Sequence, residues 1–231
     1  MRDTGFGISP FPSLFDAGLN YCKMSNTIRT TQTTPTYGVG VNDYDGRIKV
    51  NNKHIPSYDA WHDMLRRCYD EKTKAKSRNS KYHGCTVSDE WKYFSNFKEW
   101  FEDPGNNWRS GYCLDKDIVD PGNRVYCREK CLLVPPEINQ LICFNRGDNG
   151  LPIGVNLSKT LGKYTCCVQN PLTGELEHIG TYKNVEDAFF AYKERKEKYI
   201  KLVAKIYFEE GAINERAFAA LCSFEVQRFA K

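Results

Sequence analysis

The chain has no apolar run approaching the roughly 18 residues that a membrane-spanning helix requires, so no membrane span is expected. No charged n-region followed by an apolar stretch opens it, and no secretory signal is expected either. It lacks any Cys-x-x-Cys pair. Its four histidines, His54, His62, His83 and His178, have no metal-ligand spacing to one another. Ten cysteines are present, and Cys113, Cys127, Cys131 and Cys143 form the one four-cysteine set whose spacing permits zinc. A structural zinc is nevertheless not expected, and the reading for most of the ten is buried reduced thiols in a soluble cytoplasmic protein. Vicinal Cys166 and Cys167 point to opposite faces of a strand and do not chelate one metal together. A large charge excess is also missing. The 33 Lys and Arg against 29 Asp and Glu leave +4 and a pI near 8.4, compatible with a nucleic-acid partner without requiring one.

What is present is apolar and aromatic. With 231 residues, 40% hydrophobic and 13% aromatic, the chain can bury one large core or two small ones. The composition shift near residues 145–150 favours two modules, in an α+β protein. Residues 1–36 are rich in Gly, Pro, Ser and Thr and read as a flexible arm. Met24, just upstream of the threonine-rich run, is an alternative translation start to Met1.

The first module spans residues 37–144. Residues 57–71 carry Trp61, Leu65, Cys68 and Tyr69 at helical spacing, with Ser57 as the expected N-cap. A basic run follows through Arg66, Arg67, Lys72, Lys74, Lys76, Arg78 and Lys81, which reads as a solvated helix end and, beside a DNA-reading module, as a phosphate track. A second helix, about 88–101, puts Trp91, Phe94, Phe97 and Trp100 on one side, as core. Residues 111–141 then read as a strand through Leu114-Asp115-Lys116-Asp117-Ile118, a turn at Asp120-Pro121-Gly122-Asn123, one short helical turn, and a return strand Leu132-Leu133-Val134. Two carboxylates separated by one residue share a strand face, so Asp115 and Asp117 are a candidate Mg²⁺ or Mn²⁺ pair.

The second module, residues 151–208, reads as three short strands and one long helix. Lys163 to Gln169 alternates strictly, with Tyr164, Cys166 and Val168 on one face and Lys163, Thr165, Cys167 and Gln169 on the other. From Asn184, the expected N-cap, the period turns helical through Val185, Ala188, Phe189, Tyr192, Tyr199 and Val203. Residues 213–229 read as a further amphipathic helix.

The strings LPIGV, GKY, HIGTY and VEDAFFAY, in that order, resemble the plant ethylene-response-factor type of DNA-binding domain, also found in phage and mobile-element endonucleases. The resemblance covers about a quarter of the chain and implies a three-stranded antiparallel sheet that reads the major groove, braced by a helix. On it, Lys159, Lys163, Thr165, Gln169 and His178 join Arg66, Arg67, Lys72, Lys74 and Lys76 as candidate contacts to double-stranded DNA. His178 also reads as a strand-end residue bonded to backbone. The family usually sets Arg, Lys and Trp on the outward strand face, whereas this chain is expected to place Thr165, Cys167, Gln169, Glu175 and Glu177 there. Phosphates repel such carboxylates.

Residues 111–141 are similar to the ββα-metal core of HNH endonucleases of the phage and homing type, and a looser resemblance to phage-encoded HNH-like proteins runs over residues 37–208. It implies that Asp115 matches the metal-binding Asp, Asn123 the loop Asn, and Asn139 the Asn after the closing strand. Lys116 stands where the family has its general-base His, and Tyr126 or Cys127 where it has the third residue of the motif. Two readings stay open. In a diverged metal-dependent endonuclease, Asp115 and Asp117 hold Mg²⁺ or Mn²⁺, His83 or His62 is the base, and Lys116 neutralises the scissile phosphate. In the other, a catalytically inactive scaffold binds DNA or a host protein as a regulator or counter-defence factor.

Overall fold

A computed structural model of the chain describes residues 34–76, 82–143 and 150–229. The N-terminal arm up to residue 33, the choice between Met1 and Met24, and Arg78 and Lys81 of the basic run lie outside the described residues. The architecture is α+β, with six α-helices and small sheets among the described residues. No helix among them is long and apolar enough to cross a membrane.

A two-stranded hairpin, β1 (Lys49–Val50) and β2 (Lys53–His54), comes first. Its turn residues Asn51 and Asn52 have φ of 50° and 62°, the left-handed region that Asn tolerates and that a two-residue hairpin turn demands. Helix α1 (Pro56–Tyr69) begins one residue earlier than the sequence suggests, because Pro56 arrives with a helical φ and needs no N–H partner. Ser57 is therefore not the cap. It is buried, and its hydroxyl donates to Glu102 at 2.8 Å. After α1, Asp70 caps a single turn, α2 (Glu71–Lys74), by accepting the Thr73 N–H.

The helix expected over residues 88–101 is divided. Strand β3 (Thr86–Val87), a 3-10 turn at Glu90–Lys92 and helix α3 (Phe94–Glu102) replace it. Val41 takes the hydrogen bonds a continuous helix would need: its N–H donates to Lys92 and its carbonyl accepts from Phe94. The aromatic stripe is nonetheless core, with Trp61, Trp91, Phe94 and Phe97 fully enclosed.

Strand β4 (Cys113–Asp115) pairs antiparallel with β6 (Leu132–Val134), and helix α4 (Pro136–Leu141) follows β6. Between them, β5 (Val125–Tyr126) leaves to pair parallel with β3. In β6, Leu133 enters the aromatic core while Leu132 and Val134 enter the second core, which also holds Ile138 and Leu141 of α4. The cores therefore do not divide at residue 144.

Strands β7 (Val155–Ser158), β8 (Lys163–Gln169) and β9 (Leu176–Tyr182) form the three-stranded antiparallel sheet, in that order, packed on α5 (Val185–Glu209). The Asn184 side chain accepts the Glu186 N–H and caps α5. Gly154 (φ 77°) lies under the Tyr192 ring, where a Cβ would come within 2.3 Å. Helix α6 (Glu215–Cys222) is shorter than the 213–229 its periodicity suggests. Beyond it the chain is held by other partners: the Val226 N–H donates to Glu197 and the Arg228 carbonyl accepts from Ile153.

Candidate functional site

Strand β4 ends at Asp115, so Asp115 and Asp117 do not share a strand face, contrary to the alternation reading. Asp115 is buried. Its Oδ1 accepts the N–H groups of Asp117 and Ile118, both at 2.8 Å, and folds the chain out of the strand. Burial pushes its carboxyl up to about 6, against the pull of the two backbone donors. Lys116, also buried, extends Nζ to both Asp117 carboxylate oxygens and to the Asn123 carbonyl, each at 2.8 Å. Asn123 answers: its Nδ2 donates to the carbonyls of Lys116 and Val125, and its Oδ1 accepts the Val125 N–H. Together these bonds zip the 116–123 loop shut.

This arrangement does not suit a hard divalent cation. Such an ion requires several converging oxygens, whereas the Lys116 ammonium already lies between the Asp117 carboxylate and the Asn123 carbonyl. Among the described residues, no three His, Cys, Asp or Glu converge on a metal position. The nine cysteines of the described residues form no disulfide with one another, and burial pushes the thiols of Cys68, Cys85 and Cys131 upward.

Asp115, Lys116, Asp117, Asn123 and Asn139 do line one cavity of about 750 Å³. His83 is not among its lining residues. It is exposed, with Nε2 at 2.9 Å from the Lys74 carbonyl. His62 sits on α1 against the Tyr37 and Tyr58 rings. The histidine that does line the cavity is His54, with Nδ1 at 3.0 Å from Asp59, a partner the sequence did not reveal. The only signal was Pro56: a helix starting there puts Asp59 in its first turn.

Much of the expected phosphate track is engaged elsewhere. Arg67 is half-buried and lines the cavity, its guanidinium 5.4 Å from the Tyr82 ring centre and bonded to the Tyr126 side chain. Arg66 pairs with Asp63 at 2.8 Å and Lys74 with Glu71 at 2.5 Å. Lys72 and Lys76 are exposed.

The outward face of the β7–β9 sheet is set by register. Asn156, Thr165 and Thr181 form one row, Cys167 and His178 the next, then Gln169 with Leu176, while Lys163 stands opposite Ser158 at the other end. His178 lies between Cys167 Sγ (3.6 Å from Nδ1) and Thr181 Oγ1 (3.4 Å from Nε2), so its ring meets side chains rather than backbone. The Gln169 amide donates to the Gly174 carbonyl at 3.1 Å, and Lys159 is exposed in the β7–β8 turn.

Glu177 is not on that face. The register shifts between Cys166 and Cys167, leaving Ile179 as the extra residue of a bulge, and Glu177 comes opposite inward-facing Val168. There it accepts from Tyr199 at 2.6 Å and pairs with Arg195, and the Tyr199 hydroxyl, then Arg195, hold its carboxyl below the usual range. Glu175 lies in the turn, outside the strands. No carboxylate stands on the outward strand face. Comparison with known proteins finds no matching family model, no matching curated protein and no matching solved structure.

Proposed function

We propose that the chain binds duplex DNA with the outward face of the β7–β9 sheet, and that its β4–β6–α4 segment serves as a scaffold rather than a cutting centre. The observation that carries this reading is the bulge at Ile179, which turns Glu177 onto α5 and leaves the outward face to Asn156, Thr165, Gln169, His178 and Thr181. Amides, hydroxyls and imidazole are the groups that pair with base edges in the major groove, with Lys159 and Lys163 available to phosphates at the rim. The scaffold half rests on the closed 116–123 loop, whose polar atoms serve one another.

In fluorescence anisotropy with a mixed-sequence duplex, affinity is expected to fall steeply with salt. Thr165→Glu, which returns a carboxylate to the centre of the face, is expected to weaken binding by about tenfold at low salt while leaving the thermal melt in place. Salt-insensitive or absent duplex binding would overturn the reading and favour a host protein as the partner.

The endonuclease reading keeps one observation in its favour: His54, oriented by Asp59, lines the same cavity as Asp117. On the scaffold reading, supercoiled plasmid with Mg²⁺ or Mn²⁺ is expected to stay uncut. Nicking by the natural protein that disappears in His54→Ala would reinstate catalysis with His54 as its base.

A further inference from the structure

We infer that the β1–β2 hairpin is a second DNA contact, a short basic ribbon that takes the phosphate backbone of the duplex; this rests on the DNA-binding reading above. From Arg47 to His54 the chain has three permanent cations and no carboxylate. Residues 49–54 are all exposed, Val50 at 58%. A lone two-stranded hairpin is marginal in water, and this one is held at its two ends. At the base, Ile48 and Ile55 pack on the aromatic core, and the Ile55 N–H donates to the Ile48 carbonyl at 2.9 Å. At the tip, the positive φ of Asn51 and Asn52 fixes the turn. The ribbon has a set shape although, of its strand residues, His54 alone packs against the module, on the Tyr58 ring.

Among the described residues, several cations of this module are neutralised by neighbours, whereas those of the hairpin, like Lys72 and Lys76, are not. Arg66, Lys74, Lys92 and Lys98 each pair with a neighbouring carboxylate. Among the described residues, Arg47, Lys49 and Lys53 have no carboxylate partner. Register places Lys49 beside His54 on one face and Lys53 beside Val50 on the other, so cations project from both faces. Two strands about 4.8 Å apart fit a major groove about 12 Å wide, and lysine meets phosphate as a point charge without a fixed approach. Asn51 and Asn52 at the tip are the residue type that pairs with adenine edges. His54 at the end of the hairpin and Ile153, just before β7, line the same cavity.

The test is anisotropy with a fluorescent mixed-sequence duplex over a salt series, on the full chain. Lys49→Ala/Lys53→Ala is expected to reduce the salt slope by about two charges and to weaken low-salt binding by about tenfold, equally for all sequences. Lys49→Arg/Lys53→Arg should restore both, and Lys205→Ala on α5 should change neither. An unchanged slope in the double alanine variant overturns the inference. If Thr165→Glu weakens binding and the hairpin variant does not, the hairpin alone is wrong. If the hairpin variant weakens it and Thr165→Glu does not, the hairpin stands and the sheet reading falls. A natural protein without salt-dependent binding overturns both.

Discussion

Lys116→Met is expected to lower the free energy of unfolding by about 2–3 kcal/mol, read as an earlier urea midpoint at neutral pH. The side chain is buried, and all three of its ammonium contacts fall within the loop it closes. Methionine fills a similar volume, so the loss reports the polar contacts rather than a cavity. One of the groups left behind recovers: Asp117, with its side chain 42% exposed, regains water. That keeps the loss below the roughly 3–5 kcal/mol typical of breaking a fully enclosed pair. The Asn123 carbonyl, inside a loop already closed by its own side chain, has no such relief. An unchanged midpoint would show that Lys116 is not structural and would return it to a role on a substrate phosphate.

Asp115→Asn is expected to remove a pH dependence of stability. Burial raises the Asp115 carboxyl from 3.8 in the unfolded chain to about 6 in the fold. Below the lower value both states hold the proton and the contribution is fully present. As pH rises the unfolded chain releases its proton first, so stability declines through the window from about 4 to about 6, by on the order of 3 kcal/mol, and is level above it. Asparagine keeps the oxygen that accepts from Asp117 and Ile118 and does not ionise, so the variant should gain on the natural protein across that window. Urea melts at pH 4, 5, 6 and 7 for both proteins measure the difference, from which the carboxylates common to both drop out. A constant difference would mean that Asp115 does not titrate in this range. Asp115→Ala also strands two N–H groups, so loss of an activity in that variant would not distinguish chemistry from collapse of the loop.

The aromatic core was legible because Trp61, Trp91, Phe94, Phe97 and Trp100 follow helical spacing strongly enough to survive a break at Tyr93. The break itself was not, because it depends on Val41, some fifty positions upstream. The alternation of β8 was legible for the same reason. In β9, strict alternation placed Glu177 outward, and the bulge at Ile179 reversed it, since one extra residue flips every side chain beyond it. The 115–117 pair failed by a related route. A short acidic side chain that hydrogen-bonds the next amides ends a strand, whereas hydropathy alone continues it. His54 and Asp59 come together only through a hairpin and a proline-started helix.

Strand β6 has one further consequence, which concerns how the molecule comes apart. Because Leu133 belongs to one core and Leu132 and Val134 to the other, neither half can melt without pulling a wall from its neighbour. Three consecutive residues thus join the two cores, and the two halves are expected to unfold in a single transition rather than one after the other.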